Sequence, residues 1–180
     1  VLVVPSDRFT HAQTQVMKDY AAAVIRAVGL KNCICHVELR WHDKLESPRL
    51  LELNPRIGGG CVAESLTTML HFEPYQAILE LALGTFQPQP PRERTTERHS
   101  MIFLFSPYSG RLKEIVGLDL VEQLPGVLSV SAPVAPGSLI GGDFEEVFLV
   151  NVWLKSDSSE HAKAMYRKIA ETIHFDIERT

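Results

Sequence analysis

The spacing of apolar residues, together with capping residues and glycines, predicts five helices. In the first, over residues 10–28, Thr10 and Gln13 fit a capping box and Gly29 stands at the C-terminal cap position. In the last, over about residues 158–173, Asp157 and Glu160 fit a second capping box. The remaining helices are predicted over residues 62–70, 74–83 and 118–126.

Alternation of apolar and polar residues predicts strands among these helices. The chain opens on an apolar strand at residues 1–4, and a buried strand at the first residue suggests the C-terminal part of something longer. Two runs, at residues 35–42 and 49–56, flank a polar segment that contains a proline, so they predict a β-hairpin. Further strands are predicted over residues 101–106, 110–117, 127–134 and 146–156.

Proline and charged residues dominate the segment around residues 87–98, which has almost nothing to bury. Such a composition is typical of a linker. We therefore expect one domain over residues 1–86 and a second over residues 99–180, joined by this linker.

The predicted hairpin sets the expected positions of its polar side chains. If the turn is centred near residue 45, the numbers of cross-strand partners sum to 90, and Glu38 faces Glu52 while His36 faces Asn54. The sum is assumed from the position of the loop, and an odd sum would put the two glutamates on opposite faces. With the even sum, all four polar side chains share one face of the hairpin.

Two carboxylates directly opposite each other repel, so this face needs a compensating group. Glu38, Glu52 and the Asn54 amide are hard oxygen donors of the kind that Mg²⁺ or Mn²⁺ prefers. Arg56 offers a planar donor fork for phosphate or carboxylate, and the glycines at 58–60 can present backbone N–H groups to an anion. The pattern equally allows a solvated face with glutamates paired to Arg40 and Arg49.

Composition narrows the class of protein. With 45% hydrophobic and 22% charged residues in 180, the chain has an ordinary globular composition. Its net charge of −4 argues against a nucleic-acid partner, and no apolar run reaches the length of a membrane-spanning helix. The odd count of three cysteines suggests a reducing, cytoplasmic location. Cys33 and Cys35 lack a second pair at zinc-site spacing and are predicted to be small apolar residues in a strand.

The hairpin carries a resemblance to a known family. Glu38, followed fourteen residues later by Glu52 and the run E-L-N-P-R-I-G-G, resembles the metal-binding hairpin of the ATP-grasp ligases. The helix predicted at 74–83 resembles another segment of that family, with His71 and Glu73 departing from its usual Gly and Asp. The region from residue 110 to the end is similar to the small C-terminal lobe of biotin-carboxylase-like and amino-acid-ligase enzymes.

This resemblance implies an α+β fold in which the C-terminal half of an ATP-grasp lobe, an antiparallel sheet with helices, precedes a small biotin-carboxylase-C-like α+β lobe. It implies ATP and Mg²⁺ (or Mn²⁺) as cofactors, with the metal held by Glu38, Glu52 and Asn54. By the same resemblance Arg56 is the catalytic residue that contacts the transferring phosphate or acyl phosphate. The loop Gly58, Gly59 and Gly60 is expected to contact the anionic cofactor, and His36 either contacts it or is a polar neighbour.

The implied activity is that of a carboxylate–amine ligase, which activates a carboxylate as an acyl phosphate with ATP and joins it to an amine. The family's adenine-binding elements lie N-terminal to this chain, so the N-terminal ATP-grasp portion of the same protein is an expected partner, and this chain alone is expected to be inactive. A homo-oligomer is compatible with the resemblance. The alternatives are a non-catalytic or degenerate fragment that serves as an interaction or regulatory module, and a biotin-carboxylase-type enzyme. The continuation Gly58–Gly59–Gly60 is closer to the amino-acid ligases.

Overall fold

The computed structural model describes residues 2–59, 62–88, 98–106, 108–141 and 147–179. These residues belong to two compact units, one formed by residues 1–6 with 96–180 and the other by residues 7–95. Gly60 and most of the predicted 87–98 linker lie outside the described residues.

Helices and strands follow the predicted order closely. In chain order they are β1 (Leu2–Val4), α1 (His11–Ala27), β2 (His36–His42), β3 (Ser47–Asn54), α2 (Val62–Leu70), α3 (Pro74–Leu83), β4 (His99–Phe105), β5 (Gly110–Val116), α4 (Leu118–Glu122), β6 (Val127–Ser131), β7 (Leu139–Ile140), β8 (Phe148–Lys155), α5 (Ser159–Thr172) and β9 (His174–Glu178). This mixture of helices with antiparallel sheets confirms the predicted α+β class. None of the described helices is both long enough and apolar enough to cross a membrane.

The unit of residues 7–95 is built on the predicted hairpin of β2 and β3. Helix α1 packs against β3, and its predicted capping box is confirmed, since Thr10 accepts from the Gln13 backbone while the Gln13 side chain accepts from the Thr10 backbone. A short 3₁₀ turn, Asp43–Leu45, joins the two strands. The ring of Trp41 lies 6.4 Å from that of Phe9, on the apolar side of the hairpin.

A β-bulge in this hairpin keeps its two faces chemically distinct. Glu38 pairs with Glu52, but Leu39 pairs with Leu50, which leaves Leu51 as the extra residue of β3. Strict alternation from Glu52 would have put Leu50 on the polar face. Because the bulge shifts the register by one, Leu50 instead stands opposite apolar Leu39.

The other unit contains a four-stranded antiparallel sheet in the order β1-β4-β8-β6 and a three-stranded one in the order β7-β5-β9. Because β1 pairs with β4, the first residues of the chain join this unit and not the one that follows them in sequence. Helices α4 and α5 supply residues to its main core. That core consists of Ile102, Leu104, Val121, Val150, Val152, Leu154, Met165, Ile169 and Ile173.

One local prediction in this unit was wrong, and another is confirmed over a shorter range. The last helix is capped by Ser158, whose Oγ accepts from the His161 backbone N–H at 3.1 Å, so Asp157 and Glu160 form no capping box. Ser158 has the extended backbone of an N-cap, whereas the Asp157 backbone N–H donates to the His161 ring at 3.3 Å. The helix predicted over residues 118–126 ends at Glu122, before a turn at Pro125, because a proline disfavours helical conformation in the preceding residue.

Candidate functional site

The polar face of the β2–β3 hairpin places two carboxylates in direct opposition. Glu38 is the cross-strand partner of Glu52, and His36 is the partner of Asn54, which is the register expected from the sequence. Both glutamates are exposed. The like charges therefore face each other at the end of the hairpin where the strands lead into the glycine loop.

His36 and Asn54 stand beside this carboxylate pair. The Nε2 atom of His36 lies 3.2 Å from Oε1 of Glu38, within hydrogen-bonding distance. The Nδ2 atom of Asn54 is buried and has no hydrogen-bond partner among the described residues. A buried N–H group without an acceptor destabilises the folded state by about 1–3 kcal/mol. Binding of a group that accepts this hydrogen bond would therefore be favoured.

The first glycine of the loop packs directly on the hairpin. A Cβ at Gly58 would lie 2.7 Å from Nδ1 of His36 and 2.9 Å from Cγ2 of Val62, so only glycine fits without displacement. Gly59 has open space around the corresponding position. The close approach brings the start of the loop to the polar face. The spacing of the motif did not reveal this contact, although a glycine beside α2 was a signal for it.

Arg56 lies beyond the end of β3. The strand stops at Asn54, because Pro55 has no N–H to donate to a ladder. The guanidinium of Arg56 is exposed and donates to the carbonyl oxygen of Ile57 at 2.9 Å. Arg56, the last residue of the strand run predicted over 49–56, therefore lies in the bend that follows the strand.

The alternative, in which the glutamates pair with Arg40 and Arg49, is not supported by any ion pair among the described residues. Arg40 and Arg49 stand opposite each other on the same hairpin face, one step closer to the turn. The side chain that contacts the Glu38 carboxylate is His36, not an arginine.

The donor set fits a hard divalent cation. In the described ranges, no three or more His, Cys, Asp or Glu side chains cluster as a metal centre. The predicted set has another composition, namely the carboxylates of Glu38 and Glu52 with the amide of Asn54. Such oxygen-donor sites commonly leave coordination positions for water and phosphate, as Mg²⁺ requires.

The cysteines predicted to lie in a strand precede it instead. Cys33 and Cys35 are both outside regular structure, one exposed and the other half-buried, and their Sγ atoms are 3.5 Å apart. The sequence shows the spacing of the two cysteines, but it does not show that the strand begins at His36.

Comparisons with known proteins agree with this architecture. Residues 102–178 match the family model for the L-amino acid ligase C-terminal domain 2. A curated relative, the uncharacterized protein y4rH of Sinorhizobium fredii, is 27% identical over 172 residues, which are 93% of this chain and 34% of that protein.

Solved structures give the same result for the fold. The L-amino acid ligase of Bacillus licheniformis superposes with a TM-score of 0.85 at 21% identity, covering 98% of this chain and 44% of that one. Phosphoribosylglycinamide synthetase of Anaerococcus prevotii superposes with a TM-score of 0.74, also at 21% identity and with the same coverages. The biotin carboxylase domain of Hydrogenobacter thermophilus 2-oxoglutarate carboxylase, solved with MgADP, gives 0.68 at 14% identity over 97% of this chain and 38% of that one.

The chain thus spans about a third of the length of the curated relative and less than half of each of these solved structures. The predicted resemblance is confirmed: in fold the chain matches the C-terminal portion of ATP-grasp ligases, and its residues 102–178 match the second C-terminal domain of L-amino acid ligases.

Proposed function

We propose that the protein containing this chain is an ATP-dependent carboxylate–amine ligase, and that this chain supplies the metal-binding side of its ATP site. The observation that carries the proposal is the direct opposition of Glu38 and Glu52 beside Asn54. Two like charges in register destabilise a hairpin unless a cation lies between them. The fold shared with ATP-grasp ligases supports the same function.

In this proposal Glu38, Glu52 and Asn54 hold Mg²⁺ or Mn²⁺. When bound there, the cation neutralises charge on the phosphate oxygens of ATP. The protein's part is to fix two carboxylates on adjacent strands, where the ladder of β2 and β3 holds their backbones at a constant separation.

We propose that the anionic groups of the nucleotide and the intermediate are contacted by Arg56, Gly58, Gly59, Gly60 and His36. Arg56 is exposed in the bend and can exchange the Ile57 carbonyl for a phosphate oxygen, which is the stronger acceptor because it is charged. The backbone N–H groups of the glycine loop precede α2, and a helix N-terminus favours negative charge.

The proposed reaction begins with the substrate carboxylate attacking the γ-phosphorus of ATP. A bond forms from the carboxylate oxygen to phosphorus, the bond to the β,γ-bridging oxygen breaks, and ADP leaves. The amine then attacks the acyl carbon, phosphate departs, and the amine loses a proton. Arg56 would steady the transferring phosphoryl group, and the loop amides would support the anionic intermediate.

Amino-acid ligase activity is favoured over the biotin-carboxylase alternative by two observations. The family model that matches residues 102–178 is that of L-amino acid ligases. The TM-score is also higher for the Bacillus licheniformis L-amino acid ligase, 0.85, than for the Hydrogenobacter thermophilus biotin carboxylase domain, 0.68. We extend the proposal to a cytoplasmic location and to the division of the chain, in which the predicted residues 1–86 complete an ATP-grasp lobe except for β1, which pairs with β4 of the other unit.

The test is ADP release by the full-length protein with Mg²⁺, ATP and pairs of L-amino acids. Glu52→Gln is expected to lower the rate about 100-fold or more, because a metal ligand supplies several kcal/mol of charge stabilisation. The matched control is Glu46→Gln, an identical change at the exposed tip of the same hairpin, which should leave the rate within about twofold.

The outcomes separate the candidates. Near-normal ADP release by Glu52→Gln would refute the metal assignment. ADP release that requires bicarbonate and biotin would support a biotin-carboxylase-type enzyme. A full-length protein that binds no nucleotide in the presence of Mg²⁺ would instead be the non-catalytic module.

A further inference from the structure

Two thiols outside the proposed metal site lie close enough to react with each other. Cys33 Sγ and Cys35 Sγ are 3.5 Å apart in the segment between α1 and β2. Cys33 is exposed, so a small molecule in solution can reach it, whereas Cys35 is half-buried. The segment ends one residue before His36, the first residue of β2.

Closure of this pair requires a small local movement. A disulfide has a sulfur–sulfur distance of about 2.05 Å, so the two atoms must approach by roughly 1.5 Å. Both cysteines lie outside helix and strand, where the backbone can adjust without breaking a ladder of hydrogen bonds. The short separation in sequence also keeps the second thiol at a high effective concentration near the first.

We propose that Cys33 and Cys35 form a reversible oxidation site, which closes to an intramolecular disulfide by exchange with a low-molecular-weight disulfide such as glutathione disulfide. In the first step the thiolate of Cys33 attacks one sulfur of the reagent, a mixed disulfide forms, and one glutathione leaves. In the second step the thiolate of Cys35 attacks Cys33 Sγ and displaces the other glutathione. The protein loses two electrons and two protons, and the reagent gains them as two thiols.

The order of the two steps follows from exposure and charge. Burial raises the pKa of the Cys35 thiol, and the hydrogen bond and charge of Cys33 raise it further. Cys35 is therefore less often a thiolate than an ordinary cysteine is, and the thiolate is the attacking species. Cys33 reaches solvent more freely, which makes it the sulfur that meets the reagent.

A metal is a poorer use of this pair. No third His, Cys, Asp or Glu joins the two thiols in a cluster among the residues that the structure describes. A structural zinc site takes four ligands. A two-thiol site without further ligands is instead suited to exchange, and a disulfide in an exposed segment is of the labile, reducible kind.

The test uses the 180-residue chain with Cys61→Ser, so that only the two cysteines in question remain. After incubation with glutathione disulfide, free thiols are titrated and the intact mass is measured. The expected result is the loss of both thiols, a mass lower by two hydrogen atoms, no glutathione adduct, and full recovery with dithiothreitol. The further change Cys35→Ser should instead stop the reaction at one glutathione adduct on Cys33.

Three results would overturn the proposal. They are retention of both thiols under conditions that oxidise a small dithiol, stable glutathione adducts on both cysteines, or a disulfide-linked dimer on a non-reducing gel. If Cys61→Ser does not fold, the same exposure is given to the unsubstituted chain and its peptides are mapped. A bridge within one peptide, between Cys33 and Cys35, supports the proposal, and bridges to Cys61 alone refute it. This test is independent of ligase activity.

Discussion

The imidazole ring of His36 lies against the backbone of Gly58, so close that a Cβ at residue 58 would come within 2.7 Å of Nδ1. This contact joins β2 to the loop before α2, and it orients the residue that also approaches Glu38 at 3.2 Å. The hairpin and the start of the loop at Gly58 are therefore packed together at the proposed site.

Gly58→Ala is expected to destabilise the chain by about 1–3 kcal/mol, because a methyl group there overpacks the His36 ring and Val62. The measurement is the free energy of unfolding by urea. Gly59→Ala is the matched control, since nothing lies within 4 Å of its Cβ position.

The double variant His36→Ala, Gly58→Ala tests the cause. Removal of the ring leaves room for the methyl group, so the alanine at 58 should cost less in this background than in the unsubstituted chain. Equal costs in both backgrounds would show that His36 is not the obstacle.

Glu38→Gln is expected to stabilise the chain in the absence of divalent cations, by a few tenths of a kcal/mol up to about 1 kcal/mol, because it removes repulsion from Glu52. The gain is small because both carboxylates are exposed and solvent screens them. Thermal unfolding at low salt measures it.

Added Mg²⁺ should reverse this order, stabilising the unsubstituted chain more than Glu38→Gln. Glu46→Gln at the tip of the hairpin, which keeps both facing carboxylates, should respond to Mg²⁺ as the unsubstituted chain does. An identical response of all three proteins would speak against a cation between Glu38 and Glu52.

Sequence patterning located the hairpin well because it depends on local signals. The predicted pairs of His36 with Asn54 and of Glu38 with Glu52 are confirmed, although the pairs nearer the turn sum to 89 and the bulge at Leu51 restores the expected sum of 90. Helices α2 and α3 were predicted at their observed bounds. For α3 the local signals are Pro74, which begins the helix, and Gly84, which follows it. The roles assigned to these hairpin residues stay predictions.

Three features that the sequence did not reveal depend on non-local contacts. Strand β9 was not predicted, because its identity depends on pairing with β5, more than fifty residues earlier. The bulge at Leu51 likewise depends on which residue of β2 stands opposite, although the doublet Leu50–Leu51 already interrupts the alternation. The contact of Gly58 with His36 joins a loop to a strand, which no spacing along the chain reveals.

The bulge predicts different tolerance at neighbouring leucines. Leu51 is the unpaired residue and is 60% exposed, so Leu51→Lys should change the free energy of unfolding by less than about 0.5 kcal/mol. Leu53 is half-buried opposite Val37, and Leu53→Lys should cost well over 1 kcal/mol because it buries a charge on the apolar face. Urea unfolding of the two variants decides this, and equal costs would contradict the bulge.

The cap of α5 offers a comparison between adjacent residues. Ser158 accepts from the His161 backbone N–H, so Ser158→Ala should destabilise the unit by about 1 kcal/mol, as removal of an N-cap usually does. The Asp157 carboxylate lies 3.6 Å from Nδ1 of His161 and is almost fully exposed, so Asp157→Ala should have little effect. Thermal unfolding of both variants measures the difference. A larger loss for Asp157→Ala would restore the capping box that the sequence had predicted there, and a loss confined to Ser158→Ala would confirm that the hydroxyl begins the helix.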